Sequence, residues 1–488
     1  MAWGQFGKLV EVALTTVVAI VVVRTLAPRG FGTYALLTNL AGSASVFIPV
    51  VGTEALGAVL PRFADRRQRV WLVGLIVALR LTVILVVAAV VMSAWSYLGN
   101  TFGLGYVSLR VLAVGVLYWA AQDLLNTVGG LYLSELNLRP IALWRAGGQA
   151  FTLTGVAIAA ALGEATVGVV LSIVSAGYAL AAFRLGIALV RNGATRVPRE
   201  RVRFVLGFTP HVWVIGIVSF AQATQIDVLL IGAFTHNVGE VAFYVAAVGV
   251  VGRAQLVLVG GWGSLIIPTL GAALQAGGMR ALARAARLFG ELLLLVMLPL
   301  NALVLATAYP LVRALFGASY QRAGDLLVVF AAATVVATPA ISSAAVSALW
   351  AIDRQRLLAR VRVVVAALNV VLAVVLIPRY AGMGAVIATG SAFILSSFVE
   401  VVLAQRAGAL DYPFAVLFRA APAAAAGAGV AWLIPGGGVN VALALLAGLA
   451  TYIGVLAILR PLTAEHVELL GRISPRLTSW PLRLLVRA

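Results

Sequence analysis

The chain has 488 residues, of which 62% are hydrophobic and only 10% charged, and its mean hydropathy is +1.07. Chains that fold in water carry about a quarter charged residues, so these side chains cannot cover a water-facing surface, and the composition describes an integral membrane protein. With no cysteine and only three histidines, at 211, 236 and 466, there is no disulfide framework, thiolate metal site or histidine metal centre; the formal charge of +19 becomes a question of which side of the membrane the arginines occupy.

Apolar runs of the roughly 20 residues needed to cross a bilayer recur along the whole chain. In order they give about fourteen spans, at 8–26, 33–60, 70–94, 106–134, 141–162, 166–190, 204–234, 240–274, 287–308, 324–350, 361–378, 382–405, 415–435 and 438–460. The runs are continuous, not alternating in polarity over about ten residues as β-barrel strands are. The fold class is therefore all-α and polytopic. The first run reads as a mature helix and not a signal peptide, because Arg24 interrupts its far end and no small-residue cleavage site follows Leu26.

Sorted by loop, twenty-four arginines fall in even-numbered loops and the tail, among them Arg66, Arg196, Arg280 and Arg356. Five fall in odd-numbered loops: Arg24, Arg29, Arg313, Arg322 and Arg379. The positive-inside rule then places both termini in the cytoplasm. Basic loops facing anionic lipid need no nucleic-acid partner. The longest loops, 191–203 and 275–286, have about a dozen residues, which leaves no room for an inserted catalytic domain. The odd loops offer only Glu164, His236, Glu240 and Asp325, unclustered. Both facts argue against a membrane glycosyltransferase or glycan polymerase, and the chain is expected not to be an enzyme. The tail, 461–488, mixes Arg472, Arg476, Arg483 and Arg487 with Leu469, Leu470, Trp480, Leu484 and Leu485, the composition of an interfacial segment on the inner leaflet.

A faint repeat relates 26–34 (LAPRGFGTY), after the first span, to 233–244 (AFTHNVGEVAFY), after the seventh. An offset of six helices is even, so both halves enter the membrane in the same sense. This predicts two parallel six-helix lobes, 1–203 and 204–405, related by an axis along the membrane normal, then two further spans in 406–460 and the tail.

Several stretches resemble the multidrug/oligosaccharidyl-lipid/polysaccharide (MOP) exporter superfamily, and most closely its polysaccharide flippase (Wzx-type) branch. They are RTLAPRGFGTYALL (24–37), VLLIGAF with GEVAFYVAA (228–247), YPLVRALFGASYQRAGDLL (309–327) and LNVVLAVVLIPRYAGMGAVIATGSA (368–392). The last is the most specific, with an Asn-containing helix, a Leu-Ile-Pro exit and a Gly-rich turn. The resemblance implies a flippase that moves an undecaprenyl-diphosphate-linked oligosaccharide across the cytoplasmic membrane of a bacterium or archaeon by alternating access. Membrane lipids, a glycan polymerase and other polysaccharide-assembly proteins would be its partners. Composition and spacing alone give only a two-lobed transporter, and a cation-coupled multidrug or small-solute antiporter on the same scaffold is the alternative.

Charges inside a membrane mark function or structure, depending on depth. Glu11, Arg110, Arg145, Arg184, Glu291 and Glu400 lie within roughly 10 Å of a helix end at 1.5 Å per residue, and are expected to snorkel to the interface. Arg80 and Asp123 both lie about 15 to 17 Å from the same end of adjacent spans, the placement of a buried ion pair. Arg253 is near mid-depth with no acid at its level on a neighbouring span, although helix tilt could bring Asp227 or Glu54 to it. In a water-filled lumen its forked guanidinium suits a diphosphate. His211, Gln222 and Gln225 share a stripe on the seventh span, and Asn39 and Glu54 add polar groups on the second. Such a stripe suits sugar contacts and interhelical hydrogen bonds alike. Asp227 falls on nearly the opposite face.

In the related lipid II flippases an Asp, an Asn and a Thr hold a sodium ion. The resemblance carries these roles to Asp227, Asn369 and Thr389, an oxygen-only set suited to a hard cation. The acid expected one turn after the Asn is Ala373 here, which leaves one carboxylate; proton coupling through Asp227 is then the competing expectation. No resident cofactor or metal is expected beyond that coupling ion.

Overall fold

The computed structural model describes residues 2–48, 56, 59–63, 65–135, 137–190, 193–200, 202–203, 205, 217, 220, 224–259, 263–436 and 439–461. Among these residues there are helices and turns but no strand. The described residues form sixteen α-helices: α1 Ala2–Val46, α2 Arg66–Ser93, α3 Trp95–Thr101, α4 Leu109–Ser134, α5 Leu138–Ala161, α6 Val167–Val190, α7 Thr224–Thr235, α8 Val238–Val259, α9 Gly263–Ala306, α10 Ala308–Phe316, α11 Gln321–Ala337, α12 Ser342–Ala351, α13 Gln355–Tyr380, α14 Gly382–Arg406, α15 Phe414–Leu433 and α16 Val439–Leu459. Ten helices of the described residues are long and apolar enough to cross a membrane. The first of these runs through a bend and carries two of the expected spans. Helix is present, whole or in part, at all fourteen expected positions.

The boundaries show where hydropathy alone misreads the chain. α1 breaks at Ala27 (φ 53°, ψ 173°) just before Pro28, which has no N–H to continue a helix. The run expected at 33–60 leaves its helix at Val46, and the run expected at 240–274 is helical wherever its residues are described, over 240–259 and 263–274. The expected loop 275–286 is helical apart from a kink at Gly277 and Gly278. Its Leu282 and Ala286, with Phe289 just beyond it, recur at helical spacing and are fully buried, so burial of one face overrides the polar composition of the other. The tenth expected span is broken between α11 and α12 by a single 3-10 turn, Thr338–Ala340, and by Ile341 at φ 44°. Pro339 accounts for the break.

The chain forms two compact units, Met1–Ala246 with Ala373–Ala385, and Ala247–Leu372 with Val386–Ala488. In the first, α4 packs along α6, and α1 along α5. Glycines let backbones touch: a Cβ on Gly148 would lie 2.6 Å from the Gly177 carbonyl oxygen, and one on Gly177 2.7 Å from that of Gly148. Small residues do this in membrane helices because lipid offers no hydrophobic drive to association. In the second unit α9 packs against α12 and α15 through Phe289, Leu293, Ala344, Ala345, Ala420 and Ala424. Gly427 and Gly448 repeat the glycine contact between α15 and α16.

Candidate functional site

The turn of the repeat organises one end of the first unit. Ala27 and His236 both hold positive φ, 53° and 52°, and each is followed three residues later by a glycine, Gly30 and Gly239. A third copy, not apparent in the sequence reading, is Ala381 at 51° with Gly384. The copies meet. A Cβ on Gly32 would strike the Val238 carbonyl, one on Gly103 would lie 2.5 Å from the His236 carbonyl oxygen, and the Gly382 amide donates to Glu240 Oε2 at 3.2 Å. These contacts seat α7 and the start of α8 against α1 in the first unit.

On α7, Gln225 is exposed while Asp227, two residues and about 200° further round, is completely buried. Asp227 Oδ2 accepts a 2.5 Å hydrogen bond from the Tyr244 hydroxyl on α8. Tyr244 belongs to the aromatic anchor of the repeat, the one sequence signal that pointed to it. Asn39 on α1 is half-buried and its Nδ2 donates to the Ala35 carbonyl of its own helix (2.8 Å). His211, Gln222 and Glu54 lie outside the described residues, as does almost all of the tail.

Arg80 and Asp123 face each other across α2 and α4. Nε donates to Oδ2 at 2.8 Å and Nη2 to Oδ1 at 2.5 Å, with both side chains buried. The fork-to-fork geometry satisfies both carboxylate oxygens, the arrangement that makes a buried pair tolerable.

Of the side chains expected to snorkel, Arg184 is exposed, whereas Glu11, Arg145, Glu291 and Glu400 are held by protein partners. Arg145 reaches Glu11 at 3.5 Å and donates to Asn126 Oδ1 at 3.0 Å, lining a cavity of about 160 Å³ with Thr15, Gln122, Gln149 and Tyr178. Arg184 lies over the Trp144 ring, 4.7 Å from its centroid. In the second unit Glu400 is 2% exposed, accepts from the Ser342 hydroxyl at 2.5 Å and lies 3.3 Å from Arg362 Nε. Depth along a helix predicts reach to water, but it does not say which neighbour faces the side chain.

Arg253, on α8, is half-buried and folds back along its helix: a Cβ on Gly249, one turn earlier, would lie 3.3 Å from Nη1. Two residues on, Gln255 Nε2 donates to Asn301 Oδ1 (3.3 Å) and Asn301 Nδ2 to Thr338 Oγ1 (2.8 Å), linking α8 and α9 to the break after α11. Asn369 on α13 and Thr389 on α14 are both buried, and Thr389 Oγ1 lies 3.5 Å from Asn369 Oδ1. They form a pair of neutral oxygens in the second unit, whereas Asp227 belongs to the first. Ala373, one turn after Asn369, is fully buried and brings no carboxylate.

No protein-family model matches the chain, and no curated protein matches its sequence. Solved structures do. A lipid II flippase, MurJ, in an inward closed conformation matches 94% of this chain and 96% of its own with a TM-score of 0.67 at 13% identity. An inward-facing multidrug resistance transporter of the MATE family matches 83% of this chain and 94% of its own at 0.59 and 13%. A MOP superfamily transporter from Pyrococcus furiosus, described as having a binding pocket of reversed polarity, matches the same shares at 0.54 and 14%. The chain has the fold of the MOP transporters. It is a multi-pass membrane protein, and the similarity in fold to the flippase extends over nearly its whole length.

Proposed function

We propose that the chain is a flippase of the polysaccharide (Wzx-type) branch, moving an undecaprenyl-diphosphate-linked oligosaccharide from the inner to the outer leaflet of the cytoplasmic membrane by alternating access. The observation that carries this reading is the whole-length likeness to a lipid II flippase fold, 94% of this chain against 83% for the multidrug transporter. The protein would work as two lobes, 1–203 and 204–405, with both termini in the cytoplasm, no chemical step of its own and glycan-assembly enzymes as partners.

In this reading Arg253 contacts the diphosphate. A guanidinium stays charged at any depth and offers paired donors to phosphate oxygens. Gln225 and Asn39, with His211, Gln222 and Glu54, would meet the sugars. Asp227 would carry the coupling charge in the first unit, and Asn369 and Thr389 would offer oxygens to a coupling cation in the second. With a single carboxylate in the set, a proton suits it better than a tightly held sodium ion, since a hard cation gains most from charged oxygen ligands.

The test is transport of a fluorescent lipid-linked oligosaccharide in proteoliposomes. Arg253→Ala is expected to slow translocation at least about thirtyfold, the loss of about 2 kcal/mol typical of removing one partner of a desolvated charge contact, while the purified protein keeps its melting temperature. Wild-type flipping by that variant would sink the proposal. Drug efflux against a cation gradient, with no movement of the lipid-linked sugar, would favour the antiporter reading that the MATE likeness keeps in view.

A further inference from the structure

The first unit contains a second, larger cavity that has no place in the transport reading. It measures about 510 Å³ and is lined by Val70, Trp71, Gly74 and Val77 of α2, Leu124 and Val128 of α4, Gly186 of α6, and Ala194 of the following loop. The lining is apolar throughout. Two absences of side chain open it: a Cβ on Gly74 or on Gly186 would meet no atom within 4 Å. α2 starts at Arg66, so the lining residues 70–77 run from about 6 to about 17 Å below its first residue at 1.5 Å per residue. That is the hydrocarbon depth of one leaflet, half of about 30 Å. Further along α2, Leu79, Leu85, Val86 and Val90 are exposed, as lipid-facing residues are.

The mouth of this groove is cationic. Arg67 and Arg196 are both exposed, and the Thr195 amide donates to the Arg67 carbonyl (3.2 Å), which ties the two arginine-bearing segments together at the groove's end. Arg66 and Arg69 stand beside them, 2.9 and 3.6 Å from Glu135. Among the described residues Asp65 adds one more acid beside them, capping α2 through the Arg67 amide. Arginines outnumber acids there. An apolar slot one leaflet deep, ending in guanidinium groups at the membrane surface, is complementary to an amphiphile with a hydrocarbon chain and a negative head.

We infer that this groove is a binding site for an anionic phospholipid, with one acyl chain between α2, α4 and α6 and its phosphate at Arg67 and Arg196. The site is independent of what the protein transports. The lipid would fill space that no side chain fills and brace the α2–α4 contact that holds the Arg80–Asp123 pair.

Trp71 lines the groove and is a built-in reporter. The full-length protein is reconstituted in phosphatidylcholine vesicles with increasing brominated-chain phosphatidylglycerol or, separately, brominated-chain phosphatidylcholine. The Trp71 signal is the difference between wild type and Trp71→Phe. Quenching by the anionic lipid is expected at a far lower mole fraction than by the zwitterionic one, by about fivefold for each arginine at the head group. The double variant Arg67→Gln/Arg196→Gln is expected to bring the two lipids level. Gly74→Leu and Gly186→Leu, which fill the groove from different helices without meeting protein atoms, are each expected to abolish the selective quenching and to keep the melting temperature. Equal quenching of wild type by the two lipids, or selectivity that survives both glycine variants, overturns the site.

Discussion

At the scale of single residues, the polar chemistry of this membrane protein is decided by pairing. Arg80 and Asp123 share two short hydrogen bonds inside the first unit, and neither charge has water to fall back on. Breaking such a pair by removing one partner costs about 3 to 5 kcal/mol, whereas replacing both by apolar residues is often nearly neutral. Arg80→Met is therefore expected to lower the melting temperature of the purified protein sharply, and Arg80→Met/Asp123→Leu to recover most of the loss. A double variant no better than the single one would mean that the pair is not an isolated energetic unit. The sequence located this pair because both residues stand at the same depth on consecutive antiparallel spans. It did not locate the Tyr244 hydroxyl on Asp227, nor the Asn126 carbonyl oxygen on Arg145, because a hydrogen bond needs an azimuth as well as a depth.

At the scale of helices, glycine placement sets how close two elements come. On α6, Gly177 lies against the Gly148 carbonyl of α5, while Gly186 on the same helix faces open space. A methyl group at 177 must push backbone apart, a strain of about 1 to 3 kcal/mol by the usual cost of overpacking, whereas at 186 it costs nothing and removes a helix-weakening glycine. Thermal unfolding in detergent is expected to show Gly177→Ala clearly destabilised and Gly186→Ala unchanged or slightly stabilised. Equal effects would contradict the α5–α6 contact. Ala27 makes the opposite point. An alanine at φ 53° and ψ 173° is strained by about 1 to 3 kcal/mol, and Gly32 packs onto the Val238 carbonyl at the same corner. Nothing in the residue type of Ala27 or His236 announces that conformation; the repeat marked only a short turn at each place.

At the scale of the whole molecule, the distribution of arginines predicts an orientation. The chain contains no cysteine, so a single introduced thiol is labelled without background. Asn237→Cys, on the turn after α7, is expected to react with a membrane-impermeant maleimide added outside intact cells, and Arg196→Cys only after the membrane is opened. The reverse pattern would invert the topology that the positive-inside rule assigns.

What the sequence determined by itself is what the bilayer enforces in one dimension. Every backbone group in hydrocarbon must be bonded within its own helix, so hydropathy found helix, whole or in part, at each of the fourteen positions, and the all-α polytopic class with them. Where hydropathy misread the chain, as at the expected loop 275–286 and the break at Pro339, tertiary contacts had rescued a polar helix or stabilised an interruption: Leu282 and Ala286 are buried in the first, and the Tyr412 hydroxyl bonds the Pro339 carbonyl at 2.7 Å in the second. Only the tertiary structure decided which faces meet. Rotation of a helix about its own axis changes neither its hydropathy nor its depth, and it is fixed by small-residue contacts between elements far apart in the chain. That rotation buries Asp227 beneath Tyr244, turns Arg145 inward onto Glu11, and leaves Gly74 and Gly186 facing the same empty groove.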